Sequence, residues 1–227
     1  MTSIAQPGST AAASGWRSVV ADWSGDRQAF QVPWGKAMMW LFLISDTFVF
    51  GCFLTGYMTV RIATTEPWPN PSEVFALTIA GESVPLILIA IMTFILITSR
   101  GTMAMAVNCA YRRDRVRTAA LMAATALLGA SFVGLQAFEW SKLIAEGVRP
   151  WGNPMGAAQF GSSFFMITGF HGLHVTVGVI YLLTVAARVL GGRYDRRGDY
   201  AIVEIAGLYW HFVDLVWVFI FALFYLW

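Results

Sequence analysis

The sequence predicts an all-α, polytopic membrane bundle of five transmembrane helices, and three observations carry that reading. Of the 227 residues, 57% are hydrophobic and only 12% are charged, about half the charged share of an ordinary soluble domain. The apolar residues are gathered into five long runs, each able to supply the ~20 residues that a bilayer-spanning helix needs. The basic residues between those runs sit on alternating sides in a pattern that five spans satisfy and four or six do not.

Residues 1–33 are small and polar, with AQPGSTAAASG near their start, and read as a disordered cytoplasmic tail. No short apolar core precedes a small-residue cleavage site, so the segment is not read as a signal peptide. The bundle then occupies 34–227. Its first span is expected at about 35–60, and the others at about 84–107, 118–140, 160–188 and 201–226. The longest interior connection, about 61–83, is too short for a soluble domain. No internal repeat is evident, so an inverted-repeat transporter has no support in the pattern.

Orientation follows from lysine and arginine. The tail side carries Arg17, Arg27 and Lys36. The same side receives Arg112, Arg113, Arg115 and Arg117 after span two, and Arg188, Arg193, Arg196 and Arg197 after span four. The opposite side has Arg61, Lys142 and Arg149. That distribution places the N-terminus in the cytoplasm and the C-terminus on the outer, periplasmic face. Adding or dropping one helix between the two four-arginine loops would put them on opposite sides.

The net charge of +2 gives no footprint for nucleic acid, and no basic patch alternates with aromatics. Cys52 and Cys109 have no partner spacing, so they suggest neither a disulfide framework nor a zinc site. Trp34, Trp40, Trp140, Trp151 and Trp227 fall near span ends, where tryptophan anchors helices at the interface.

Ionisable side chains are costly in hydrocarbon, so each needs a partner or a function. The spans contain Asp46, Arg100, Glu139, Glu204, Asp214, His171, His174 and His211. Asp46 lies about 11 residues into span one, near mid-membrane at ~1.5 Å per residue. His171 and His174 share a face of span four, and His211 and Asp214 share a face of span five. Gln136 and Glu139 repeat that spacing at the outer end of span three. The ordinary reading of such residues is interhelical glue, in which one hydrogen bond replaces an unsatisfied group. Arg100 and Glu204 are expected to reach the cytoplasmic interface by snorkelling. For Asp46 two readings stand side by side, a proton-carrying carboxyl or a structural partner for a histidine.

Three histidines also raise haem and metal readings. A di-haem cytochrome b uses four histidines on facing helices. Here there are three, two of them on one helix. A copper or zinc site built on His171, His174 and His211 would lack an identifiable open position. The chain is therefore expected to bind no haem or metal and to have no catalytic residue of its own.

Two segments carry a resemblance. GSSFFMITGFHGLHVTVGVIYLL (161–183) and EIAGLYWHFVDLVWVFIFALFYLW (204–227) closely resemble the C-terminal helices of cytochrome c oxidase subunit III. WLFLISDTFVFGCF (40–53) looks like that family's third helix, with its buried acid after a serine, and GLQAFEW (134–140) is similar to its fifth. Span two fits by position and composition. The resemblance covers about 35–227 and implies the short, five-helix bacterial form. The longer members have seven helices, and the buried acid is usually Glu where this chain has Asp46.

The resemblance implies a non-redox subunit of a haem–copper terminal oxidase in the bacterial inner membrane. It would pack directly on subunit I, which holds the haem and copper, in a complex with subunit II. There it would stabilise subunit I and support proton uptake during aerobic respiration. Phospholipid is a candidate companion, although the cleft that holds it in seven-helix members loses one wall here. Quinol oxidase subunit III and the homologue associated with nitric oxide reductase are alternatives within the family. From another class, a small proton channel or transporter would use Asp46, His171 and Glu139 as a relay. Within the oxidase reading, Asp46 is expected to meet His171 or His174, while His211 and Asp214 tie span five to the same bundle.

Overall fold

The computed structural model describes residues 33–227 except 80, 81, 85 and 195–199. The polar tail expected at 1–33 therefore lies, apart from Pro33, outside the described residues. Five long helices follow: α1 (Trp34–Ala63), α3 (Ile87–Tyr111), α4 (Arg115–Ala145), α5 (Ala158–Leu190) and α6 (Ala201–Phe224). Each is long and apolar enough to cross a membrane, and the chain is a multi-pass membrane protein.

The helices run longer than the expected spans at most ends, because a helix continues past the hydrocarbon into the interface while hydropathy marks only the hydrocarbon. Two ends fall short of the expectation, the start of α3 and the end of α6 at Phe224. The expected first residue of α3, Val84, belongs instead to a small antiparallel hairpin of β1 (Leu77–Ile79) and β2 (Glu82–Val84), with Leu77 opposite Val84. Leu86 then turns the chain in a left-handed conformation (φ 58°) and α3 starts at Ile87. The segment between α1 and α3 also holds a one-turn helix, α2 (Pro71–Val74), capped by Asn70 and started by proline.

Short connections set the neighbours. α3 and α4 are joined through Arg112–Asp114. Arg113 takes φ 58° there, and the Asp114 carboxylate caps α4 by accepting from Arg117 N at 3.1 Å. A turn this tight forces α3 and α4 into an antiparallel pair. α4 packs on α5, α5 on α6, and α6 closes back on α3, giving a four-helix ring.

Lipid is as apolar as leucine, so such a ring is held by close packing and by interhelical hydrogen bonds. Its centre is Trp210 of α6, only 1% exposed. The indole lies over Gly129 of α4 and Gly178 of α5, where an added Cβ would approach it to 2.3 Å and 3.1 Å. Its Nε1–H donates to Ser99 Oγ of α3 at 2.9 Å. One side chain thus touches all three other helices. Towards the far end, Phe132, Phe160, Phe164, Trp217 and Phe224 fill the interior.

α1 stands outside the ring. Lys36 pairs with Glu204 near one end. Near the other, Tyr57 packs on Phe224 (centroids 4.0 Å apart) and donates to the Leu223 carbonyl at 3.2 Å. Beyond it, Arg61 stacks on Trp227 at 4.0 Å. Between these ties α1 and α6 leave an apolar groove of about 430 Å³, lined by residues that include Phe50, Gly51, Leu54, Val216 and Phe219.

Candidate functional site

Most polar residues of the spans fall into two tiers, one near the middle of the helices and another, the outer tier, toward the C-terminal end of α4. Asp46 is residue 13 of the 30 in α1, and His171 and His174 are residues 14 and 17 of the 33 in α5. Arg100 is residue 14 of 25 in α3, and Asp214 is residue 14 of 24 in α6. All five lie near mid-helix.

Asp46 meets His174 and not His171. The carboxylate Oδ2 is 3.3 Å from His174 Nε2, an ion-pair approach rather than an aligned hydrogen bond. The tautomer follows from the other ring nitrogen. His174 Nδ1 is 2.8 Å from the Phe170 carbonyl, which only accepts, so Nδ1 carries hydrogen. Nε2 then faces Asp46 either as a bare lone pair or as the second N–H of an imidazolium. A lone pair against a carboxylate would repel. One proton therefore belongs to the contact, on oxygen or on nitrogen, and the pair as a whole is uncharged. That state suits a low-dielectric site, where a net charge is strongly disfavoured. Tyr209 of α6 donates to the backbone carbonyl of His174 at 2.9 Å, which links α5, already tied to α1, to α6.

His171, 1% exposed, is held differently. Its ring stacks on Trp217 (5.6 Å) and meets Phe132 (5.9 Å) and Phe50 (6.4 Å) edge-on. Neither ring nitrogen has a hydrogen-bond partner among the described residues. It packs as an aromatic side chain.

Asp214 does not join Asp46. Its carboxylate pairs with Arg100 Nε across the α3/α6 seam. This corrects the snorkelling expected of Arg100: the helix continues to Tyr111, so the residue lies near its middle and not its end, and it is turned to the seam. Glu204 does lie near a helix end, in the first turn of α6, and there it pairs with Lys36. His211, half-buried, has no hydrogen-bond partner among the described residues. Two threonines, Thr102 of α3 and Thr125 of α4, share a hydrogen bond of 2.7 Å at the same seam level.

The outer tier is a buried triad. Gln136 Nε2 donates to Glu139 Oε2 at 2.8 Å, and Tyr225 donates to the same oxygen at 3.0 Å. Tyr225 lies just past α6, so this contact ties the end of the chain to α4. Glu139 Oε1 and Gln136 Oε1 are buried without a partner among the described residues. From His171 to Glu139 the contacts run through the rings of Trp217 and Tyr225, whose centroids are 6.0 Å apart, and among the described residues no hydrogen bond between side chains links the two tiers.

Ser99, Tyr209, Trp210 and Tyr225 were not singled out from the sequence, nor was the pairing of Arg100. The signal for that pairing was present: an arginine and an aspartate of opposite sign, each inside a hydrophobic run. Among the described residues no group of three or more His, Cys, Asp or Glu is placed to hold a metal ion.

The arrangement holds helices together, and comparison with known proteins agrees with a subunit role. The family model of cytochrome c oxidase subunit III matches residues 10–227. The chain is 32% identical over 187 residues to cytochrome bo(3) ubiquinol oxidase subunit 3 of Pseudomonas aeruginosa, covering 82% of each chain. It is 32% identical over 191 residues to cytochrome c oxidase subunit 3 of Bacillus sp. strain PS3, covering 82% of this chain and 83% of that one. With cytochrome c oxidase subunit 3 of Branchiostoma lanceolatum it shares 31% identity over 225 residues, 93% of this chain and 77% of the relative. With a family match over almost its whole length, this chain belongs to the cytochrome c oxidase subunit III family.

Proposed function

We propose that the chain is the non-redox auxiliary subunit III of a haem–copper terminal oxidase in a bacterial inner membrane. Its N-terminus faces the cytoplasm and its C-terminus the outer face. It packs on the haem- and copper-bearing subunit I, in a complex that also holds subunit II, stabilises subunit I and supports proton uptake. The observation that carries this reading is the family match over residues 10–227.

The geometry supports the same reading. Asp46–His174, Arg100–Asp214, Lys36–Glu204 and Gln136–Glu139–Tyr225 each join two helices or their ends, or brace one of those joints. A proton relay from Asp46 through His171 to Glu139 is disfavoured by the aromatic box around His171. Relatives named for cytochrome c and for ubiquinol match at the same 32%, so the electron donor is a property of the companion subunits.

The test is a mild-detergent affinity purification of the tagged chain from its native membranes, with mass spectrometry and a reduced-minus-oxidised spectrum. Recovery of a haem-rich subunit I supports the proposal, and the presence or absence of a copper-site motif in subunit II identifies the donor. A colourless chain eluting alone overturns it.

A further inference from the structure

Arg100 and Asp214 pair near the middle of their helices, and the two partners differ in exposure. The Asp214 side chain is 2% exposed and that of Arg100 is 36% exposed. The guanidinium therefore opens outward from the seam while its carboxylate partner is sealed inside. At ~1.5 Å per residue the hydrocarbon edge is roughly 15 Å away in either direction, beyond the reach of an arginine side chain. The tie to Asp214 also holds the head group at this level.

A guanidinium has five N–H donors. Nε uses one on Asp214, and among the described residues no second acceptor meets the Nη atoms. His211, one turn before Asp214, is also partly open. On α3, exposed Ile97 (55%) and Ala104 lie one turn before and after Arg100, and on α6 exposed Val218 (43%) lies one turn after Asp214. The seam thus shows a set of hydrogen-bond donors inside an apolar rim, at a depth where neither water nor a lipid headgroup resides. Acyl chains offer no acceptor, and an unsatisfied donor in hydrocarbon is strongly disfavoured. Arg100 and Asp214 already cancel in charge, so the missing neighbour must supply acceptor oxygens rather than a further charge.

We propose that the α3/α6 seam around Arg100 and His211 seats a transmembrane helix of another oxidase subunit, which presents an uncharged acceptor oxygen to the Arg100 Nη atoms. The acceptor is a hydroxyl, a side-chain amide oxygen or a backbone carbonyl freed at a kink. This rests on the oxidase reading above and adds to it the face and the chemistry of contact.

The experiment places a photo-crosslinking side chain at Ala104 or Val218, and as controls at Leu127 or Ile180 on the opposite α4/α5 edge, in the full chain in native membranes. Adducts with another oxidase subunit are expected from the first two positions at about fivefold or more over the controls, the factor set by roughly 1 kcal/mol of interhelical hydrogen bonding. Adducts from Ala104 and Val218 confined to lipid or to a second copy of this chain overturn the proposal, as do equal yields from both edges. A paired variant, Arg100→Met with Asp214→Asn, leaves no orphan charge. It should insert at normal yield and recover several-fold less haem subunit, whereas unchanged recovery counts against the proposal. If the unsubstituted chain brings down a haem subunit while adducts form on the α4/α5 edge, only this face is wrong. If it brings down none, the oxidase reading fails and this proposal falls with it.

Discussion

The Trp210 indole donates to Ser99 Oγ at 2.9 Å across the centre of the four-helix ring, and Gly129 and Gly178 leave the space that lets it do so. In a bilayer, where burying apolar surface gives helices no net drive to associate, such a close fit is a main source of cohesion. A methyl at position 129 would stand 2.3 Å from Trp210 Cη2, and one at 178 would stand 3.0 Å from Tyr209.

Gly129→Ala is accordingly expected to destabilise the bundle by about 1–3 kcal/mol, and Gly178→Ala by less. Thermal unfolding of the detergent-solubilised protein, followed by loss of monodispersity, gives the order. Equal stability of Gly129→Ala and the parent would show that the ring is looser than the Trp210 seat requires.

The Asp46–His174 contact separates two histidines that share a helix face. His174→Leu leaves Asp46 without its partner and should reduce the yield of folded protein, and Asp46→Leu should do the same. Asp46→Asn keeps a polar group opposite Nε2 and should largely preserve assembly. His171→Phe keeps an aromatic ring beside Trp217 and Phe132 and should be nearly neutral. If His171→Phe is the damaging change and His174→Leu is tolerated, the assignment of partners is reversed.

For the seam, a double-mutant cycle over Arg100→Met and Asp214→Asn should give a coupling of roughly 1–3 kcal/mol in stability. Either single change leaves one charge unpaired, and the double change relieves that penalty. Additive effects would mean that the two side chains do not share an interaction.

At the outer tier, Tyr225→Phe removes one of the two donors to Glu139 Oε2 and should lower stability by about 1 kcal/mol, the net worth of one buried hydrogen bond. Combining it with Glu139→Leu should recover part of that loss. Should Tyr225→Phe behave like the parent, the tether between the end of α6 and α4 contributes nothing.

Five spans and the depth of the polar residues other than Arg100 were legible in the sequence, because hydropathy reports length and helical rise reports depth. Azimuth was not. Asp46, His171, His174, His211 and Asp214 looked like one cluster, since all lie at similar depth. In the structure they divide among an α1/α5 pair, an aromatic box, and an α3/α6 seam, because which neighbour each helix face meets is decided by packing between helices. Arg100 was misplaced because the helix starts later than expected, at Ile87, and runs on past 107 to Tyr111, which moves its middle toward Arg100. Gln136 and Glu139 meet as their spacing suggests, but Tyr225 arrives from 86 residues away, and no local pattern announces such a contact. The hairpin takes in Val84, where the second span was expected to begin, since a short apolar stretch does not by itself distinguish strand from helix.

Oxygen consumption over many turnovers tests the proposed role of an auxiliary subunit that stabilises a haem-bearing partner. The comparison is between the purified native complex and the same complex stripped of this chain by detergent. Both are expected to start at similar rates, the stripped complex to lose activity much sooner, and the purified chain, added back, to restore its lifetime. Equal lifetimes with and without the chain would contradict that role.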